Sequence, residues 1–284
     1  MGLYQNRIVV KVGTSTLTND VGKSDLRAID RLVCVLSDIQ NMGYEVVLVS
    51  SGAIAVGCNK LNMKTKPTSM RMKQAAAAVG QCSIMYLYDK FFGDYDKTVG
   101  QILLNANDIE QEEKKDNLIN TFNSLLEMGI IPVVNENDSV SYTEIESEDR
   151  LFGDNDMLSA VVAVLCRAKR LIILSDINGL YDSDPRLHPK AKLIEQIDRI
   201  DESIYSLAGG AGSRRGTGGM KTKLQAAELA TLQGIDTVIT NGKHPEAIYD
   251  IVNGAFGRNS FQRETDMKKA YTEAGHKWQK RISN

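Results

Sequence analysis

The chain predicts an α/β fold, a mainly parallel sheet with helices on both sides, and two observations carry that prediction. Short runs rich in β-branched residues alternate along the chain with longer helical stretches, the pattern of parallel strands joined by crossover helices. The runs are also nearly continuous in apolar character rather than alternating, which is how strands read when both faces are covered. At 284 residues the chain is long enough to bury a substantial core.

Taken in order, the expected strands are residues 7–12, 45–49, 98–104, 130–134, 170–174 and 236–240. The expected helices between and after them are 24–42, 69–92, 117–128, 155–167, 219–233 and 245–252. In the helix from 219, apolar side chains fall at Met220, Leu224, Ala227 and Ala230, which is helical spacing. The helix from 155 is a run of apolar residues behind Gly153, Asp154, Asn155 and Asp156, and Asp and Asn are preferred helix caps. Two stretches read as loops: acidic 144–149 as a mobile flap, and 208–219, rich in Gly, Ser and Arg, as a flexible connection.

In a parallel sheet, ligands bind beyond the carboxyl ends of the strands, so the loops there are where chemistry is expected. After the first strand come Lys11, Gly13, Thr14 and Ser15; after the second, Ser50, Ser51, Gly52 and Ala53. After the fourth come Asn135, Glu136, Asn137, Asp138 and Ser139; after the fifth, Ser175, Asp176, Asn178 and Gly179. All are polar, small or glycine-bearing.

Four of these segments point to anion or substrate chemistry. The helix from 219 has Lys221 and Lys223 in its first turn, where cations oppose the macrodipole. Behind it, Gly216, Gly218 and Gly219 leave backbone N–H groups open to close approach. Glycines, a helix N-terminus and lysines together describe a phosphate site; an exposed loop before a solvated helix is the competing reading. The arrangement is not a Walker loop, because GxxxxGK[ST] does not occur, and Leu17 stands where Gly22-Lys23-Ser24 would need its first glycine. Lys11 ends an apolar strand, where an ammonium must reach water or meet an anion. Three polar groups at 154–156 exceed what one helix cap needs. The amides and carboxylates at 135–138 suit an ammonium or a metal ion, while Asp176 with Asn178 and Gly179 also reads as a plain turn.

Composition excludes several classes. Net charge is −2, so no global basic field points to nucleic acid. Basic residues gather at 268–281, interrupted by Glu273, and read as a solvated terminal helix. Cys34, Cys58, Cys82 and Cys166 form no CxxC pair and are expected as free buried thiols in a reducing compartment. His188, His244 and His276 are far apart, so a structural zinc site is not expected. The opening residues lack the apolar core of a signal peptide, and the longest apolar run, 158–166, is too short to cross a bilayer. A cytoplasmic location is expected.

Eight segments taken together resemble the amino acid kinase family, and within it the branch that phosphorylates the side-chain carboxylate of glutamate. They are 9–15 (VVKVGTS), 50–55 (SSGAIA), Gln74 with 76–81 (AAAVGQ), 99–104 (VGQILL), 132–138 (PVVNEND), 153–156 (GDND), 176–181 with 184–186 (DPR), and 216–223 (GTGGMKTK). They occur in the family's order across residues 7 to about 260.

The resemblance implies a three-layer α/β/α sandwich on an open, mainly parallel sheet. It implies one kinase domain over 1–260, with a glutamate-binding lobe at about 1–167 and an ATP-binding lobe at about 168–260, then a tail at 261–284. Lys11, Asp156 and Lys223 match the catalytic positions, with the aspartate orienting the two lysines. Ser51, Asp138, Asp154 and Asn155 match substrate-binding positions. Gly13, Ser175, Asp176, Thr217, Gly218, Gly219, Met220, Lys221, Thr222 and Lys223 match nucleotide contacts, with Ser175 where many relatives have threonine. The implied partners are ATP with Mg²⁺, L-glutamate, proline as feedback inhibitor, and further copies of the chain in a dimer or tetramer. No dedicated metal ligand is assigned.

Two features depart from the family pattern. The segment between Glu144 and Gly153 is several residues longer than in familiar relatives, and the C-terminal PUA domain carried by many of them is not expected here. The rival readings are a family kinase acting on N-acetylglutamate, aspartate or carbamate, and a non-catalytic sensor of amino acid or nucleotide.

Overall fold

A computed structural model describes residues 2–19, 23–140, 155–185, 187–208, 219–254 and 260–261. Its centre is strand β1 (Tyr4–Val12), followed by the single turn α1 (Thr14–Leu17) and helix α2 (Leu26–Asn41). Asp25 starts α2 by accepting a 3.1 Å hydrogen bond from the Ala28 N–H, satisfying one of the orphan donors of the first turn. Strand β2 (Glu45–Ser50), helices α3 (Ala53–Lys60) and α4 (Met70–Asp94), and strand β3 (Val99–Leu104) follow. After them come α5 (Asn107–Glu110), α6 (Glu112–Glu127), β4 (Ile131–Glu136), α7 (Asn155–Leu165) and β5 (Ala168–Ser175). The remainder is β6 (Gln196–Ile197), α8 (Glu202–Leu207), α9 (Met220–Leu232), β7 (Asp236–Asn241), α10 (Ala247–Val252) and β8 (Ser260–Phe261).

The eight strands form one sheet in the order β3-β4-β2-β1-β5-β7-β8-β6. All pairings are parallel except β7 with β8. Side-chain alternation along each strand divides the core in two. Ile8, Val10 and Val12 of β1, Val46 and Leu48 of β2 and Ile172 and Leu174 of β5 pack on α2, α4 and α10. Val9, Val47, Val49, Leu171 and Ile173 face the other way, onto α6, α7 and α9. Two buried faces explain why the strands read as continuous apolar runs, and the architecture is the three-layer sandwich expected.

At the amino end of β1, buried Arg7 donates to Glu45 (2.7 Å), to the Cys166 carbonyl (2.7 Å) and to Asn123 (3.0 Å). Arg7 thus ties β1 to β2 by an ion pair and to the segment before β5 by a hydrogen bond, at the end of the sheet away from the carboxyl ends of the strands.

The structure departs from expectation in places. Ala53, read as the end of the loop after the second strand, opens α3, whose residues 54–60 were not expected as a helix, and α6 begins at Glu112 rather than 117. Cys82 is exposed on the outer side of α4 and Cys34 and Cys58 are half-buried, so only Cys166 is a fully buried thiol. Helical geometry explains Cys82: it shares the outward stripe with Met72, Ala75, Ala78 and Tyr86. The readings of 144–149 as a flap, of 209–218 as a flexible loop and of 268–281 as a helix lie outside the described residues.

Candidate active site

Lys11 is the penultimate residue of β1 and lies in register between Val49 of β2 and Ile173 of β5. All three project to the face covered by α7 and α9, so an ammonium emerges from an apolar floor. Unpaired, it would cost several kcal/mol. It meets Asp156, the second residue of α7, with Nζ 2.6 Å from Oδ1. Lys223, in the first turn of α9, reaches the other oxygen of the same carboxylate at 2.9 Å. Asp156 is wholly buried, and Lys11 and Lys223 are each 7% exposed.

The helices explain this convergence. Helices α7 and α9 pack side by side over the sheet and bring their amino termini together above β1. A carboxylate in the first turn of α7 suits that helix's dipole, whereas Lys223 opposes that of α9, which has no acidic residue in its first turn. Asp156 offsets the misplaced charge. Burial favours the neutral form of its carboxyl group, but the two ammonium groups outweigh that and hold it below the usual carboxylate range. Asp156 therefore stays ionised through neutral pH. One carboxylate between two ammoniums leaves a net positive charge, and that surplus suits a phosphoryl oxygen.

Beside this triad, Ser51 follows β2 and Gly52 turns the chain into α3 with φ of +97°, a conformation that favours glycine. Asn155 Nδ2 donates to Ser51 Oγ at 2.8 Å, to the Ser50 carbonyl at 3.2 Å and to Asn135 Oδ1 at 3.1 Å. Asn135 in turn donates to Gln81 Oε1 at 2.8 Å. Asp138, half-buried after β4, has no partner among the described residues, and burial pushes its carboxyl group up from the ordinary value. A desolvated carboxylate and the Asn155 side-chain Oδ1, which has no partner among the described residues, are each able to accept from a ligand ammonium group.

On the other side, Gly13 sits against the Lys11 ammonium: a Cβ there would lie 3.7 Å from Nζ. Its backbone is extended (φ −84°), so its use is close approach rather than a special turn. Ser175 ends β5 with Oγ 3.3 Å from Asp176 Oδ1. Its carbonyl accepts from the Gly242 N–H at 2.8 Å, which holds the loop after β7 against it. Gly219 is the cap of α9 with open space where a side chain would be, and Met220 and exposed Lys221 follow it. The Thr222 hydroxyl lies 2.9 Å from the Gly219 carbonyl and 3.3 Å from Asp156 Oδ2.

The structure thus gathers Lys11, Asp156, Lys223, Ser51, Asn155 and Gly13 at one end of the sheet, with Ser175 and Asp176 at the neighbouring strand end. Asp154, Thr217 and Gly218 lie outside the described residues. Asn135 was expected only as one of the polar residues at 135–138 suited to an ammonium or a metal ion, and the only signal for Gln81 was membership of the 76–81 segment.

Residues 6–241 match the amino acid kinase family. The chain belongs to that family. Within it the chain is 56% identical to the glutamate 5-kinase of Clostridium perfringens over 248 residues, covering 87% of this chain and 92% of that protein. It is 50% identical to the glutamate 5-kinase of Listeria innocua, over 87% of this chain and 90% of that protein. Among solved structures, the carbamate kinase of Giardia lamblia bound to AMP-PNP shares the fold with a TM-score of 0.64 at 16% identity, over 93% of this chain and 99% of that one. UMP kinase from Bacillus anthracis does so with a TM-score of 0.60 at 13% identity, over 92% and 97%.

Proposed function

We propose that this chain is a glutamate 5-kinase, transferring the γ-phosphoryl group of ATP to the side-chain carboxylate of L-glutamate to give L-glutamyl 5-phosphate, the first step of proline biosynthesis. The single observation that carries the reading is the pair of ammonium groups, Lys11 and Lys223, held on the two oxygens of buried Asp156.

Phosphoryl transfer is mainly a matter of positioning and charge. Acceptor carboxylate and triphosphate are both anionic and repel each other. The acceptor is already ionised near neutral pH, so the reaction needs no general base. Lys11 and Lys223 neutralise charge developing on the transferred group, and Asp156 keeps both amines aimed without reorganisation. Glutamate binds in the lobe of residues 1–167, its ammonium on Asp138 and the Asn155 carbonyl oxygen, with Ser51 and Asp154 completing the subsite. ATP binds in the lobe of residues 168–260, against Ser175, Asp176 and residues 217–223, the last four of which open α9, with Gly13 beneath the transferring phosphate. Mg²⁺ would enter as part of the nucleotide substrate and would supply positive charge to its phosphates, beside the two lysines of this chain. This reading extends to a cytoplasmic enzyme that assembles as a dimer or tetramer and is inhibited by proline. Among the described residues no helix is long and apolar enough to cross a membrane.

ATP consumption with a panel of acids, with hydroxylamine trapping the acyl phosphate, tests the assignment. L-Glutamate is expected to give hydroxamate, and N-acetylglutamate, aspartate and carbamate little. Faster turnover of one of those acids, or none with any, would overturn it.

A further inference from the structure

Asn135 is 2% exposed, and its side-chain amide is committed at both ends. A terminal amide can rotate by half a turn at no steric cost, exchanging its donor and acceptor ends; only its hydrogen-bond partners select one orientation. Here Nδ2 donates to Gln81 Oε1 and Oδ1 accepts from Asn155 Nδ2. If Asn135 were reversed, its NH₂ would face the NH₂ of Asn155, and two buried donors would oppose each other. The Ser50 carbonyl, which can only accept, keeps the Asn155 amide with Nδ2 toward it and Ser51 Oγ, and among the described residues the Asn155 Oδ1 and the Ser51 hydroxyl proton are uncommitted.

Gln81 can close this chain because its backbone is fixed. It follows Gly80 of α4, whose missing Cβ would lie 1.7 Å from the Ala53 carbonyl oxygen at the start of α3. Helix α3 itself begins two residues after Ser51. The α3–α4 contact therefore sets Gln81 relative to the serine whose hydroxyl the network orients.

We propose that Gln81 is a positioning residue for the amino-acid subsite: the Ser50 carbonyl sets the direction of the Ser51–Asn155–Asn135–Gln81 hydrogen-bond chain, and Gln81, by accepting from Asn135, closes it and holds Asn135 against Asn155. It acts through Asn135 rather than on the reacting atoms, and the inference rests on glutamate being the substrate.

Steady-state kinetics of purified Gln81→Met and Gln81→Glu, beside wild type, provide the test. Gln81→Met keeps the length of the side chain and removes the acceptor; it is expected to raise KM for L-glutamate by about 5- to 10-fold, the effect of losing one buried hydrogen-bond partner. KM for ATP should stay within about twofold, since the chain of bonds does not reach the nucleotide side. Gln81→Glu retains an accepting oxygen and is expected to recover most of the loss, which a purely structural role would not produce. Gln81→Ala carries the same expectation as Gln81→Met and covers a methionine that does not fit. An unchanged KM for glutamate in Gln81→Met, or equal rises in both KM values with a lowered melting temperature, would overturn the proposal. So would a Gln81→Glu variant as impaired as Gln81→Met. Wild-type enzyme that makes no glutamyl hydroxamate would overturn the functional reading and this inference with it; active wild type beside an unaffected Gln81→Met overturns the inference alone.

Discussion

Asp156 and Asp138 are two carboxylates with opposite electrostatic histories. Asp156 is held below the ordinary range by its lysines despite complete burial, and Asp138 is raised by burial with no described cation nearby to offset it. The sign of the stability effect follows. In the window between its ordinary and its raised value, Asp138 binds more protons folded than unfolded, so stability falls as pH rises through that window. Above it the ionised, desolvated group is a standing cost that a ligand ammonium would relieve. Asp138→Asn is therefore expected to raise the melting temperature of the free protein at neutral pH, with the gain disappearing below the ordinary carboxylate range. The same variant should raise KM for L-glutamate by roughly 10- to 100-fold, the effect of losing a hydrogen bond to a charged group. A variant that is neither more stable nor weaker in glutamate binding would remove the assigned role. At this scale the sequence was informative where charge was out of place: Lys11 at the end of an apolar strand, and Lys221 and Lys223 at a helix start. It marked Asn135 only as part of the polar run 135–138 and was silent on the pairing of Asn135 with Gln81, since a glutamine in a helix is ordinary. Their importance is a matter of which amide faces which, and that exists only in three dimensions.

Among the elements, α3 and α4 show what local reading misses. Residues 54–60 were not expected as a helix because they follow a polar, glycine-bearing turn and contain Gly57 in mid-helix, where glycine costs about 1 kcal/mol relative to alanine. The structure supplies the compensation. Gly57 and Gly80 face each other across the crossing, and a Cβ on either would lie within 1.8 Å of a backbone carbonyl oxygen of the other helix. Backbone cannot yield as a side-chain tip can. Gly80→Ala should therefore destabilise the protein by at least about 2–3 kcal/mol, read as a lower urea midpoint, and should weaken glutamate binding because α3 follows Ser51 directly. An unchanged midpoint would show that the crossing relaxes freely. The six strands that were expected, by contrast, were legible to within about three residues of their ends, because burial on both faces imposes a continuous apolar composition, whereas the two-residue β6 and β8 carry no such run and were not read. Helix α6 was placed late because its first turn, with Glu112 and Glu113, is wholly polar and gives no periodicity to count.

For the whole molecule, sheet order places the site. The chain leaves β1 on one side through α2 into β2, builds out to β3 and returns through β4. It then crosses under α7 to enter β5 on the other side of β1. Strand order reverses at β1, and open parallel sheets bind ligands at such a point, beyond the carboxyl ends of the strands. The alternation of strands and helices foretold a parallel sheet but not its order, which depends on which crossover lies on which face. The order decides that the Ser51–Asp138 side and the Ser175–Asp176 side flank the same lysine. Two charges separated by 212 positions in sequence, Lys11 and Lys223, meet on one carboxylate only because α7 and α9 share a face of the sheet. The central claim is that these amines act together on a transferring phosphoryl group.

The most direct measurement is the single-turnover rate of acyl phosphate formation, trapped as hydroxamate, with saturating MgATP and L-glutamate in purified Lys223→Ala and Lys11→Ala. Each variant is expected to be slower than wild type by roughly 10²–10³, the loss that follows removal of one preorganised donor from a transition state. A rate within about threefold of wild type in either folded variant, well inside the factor of ten that 1.4 kcal/mol represents, would contradict the account.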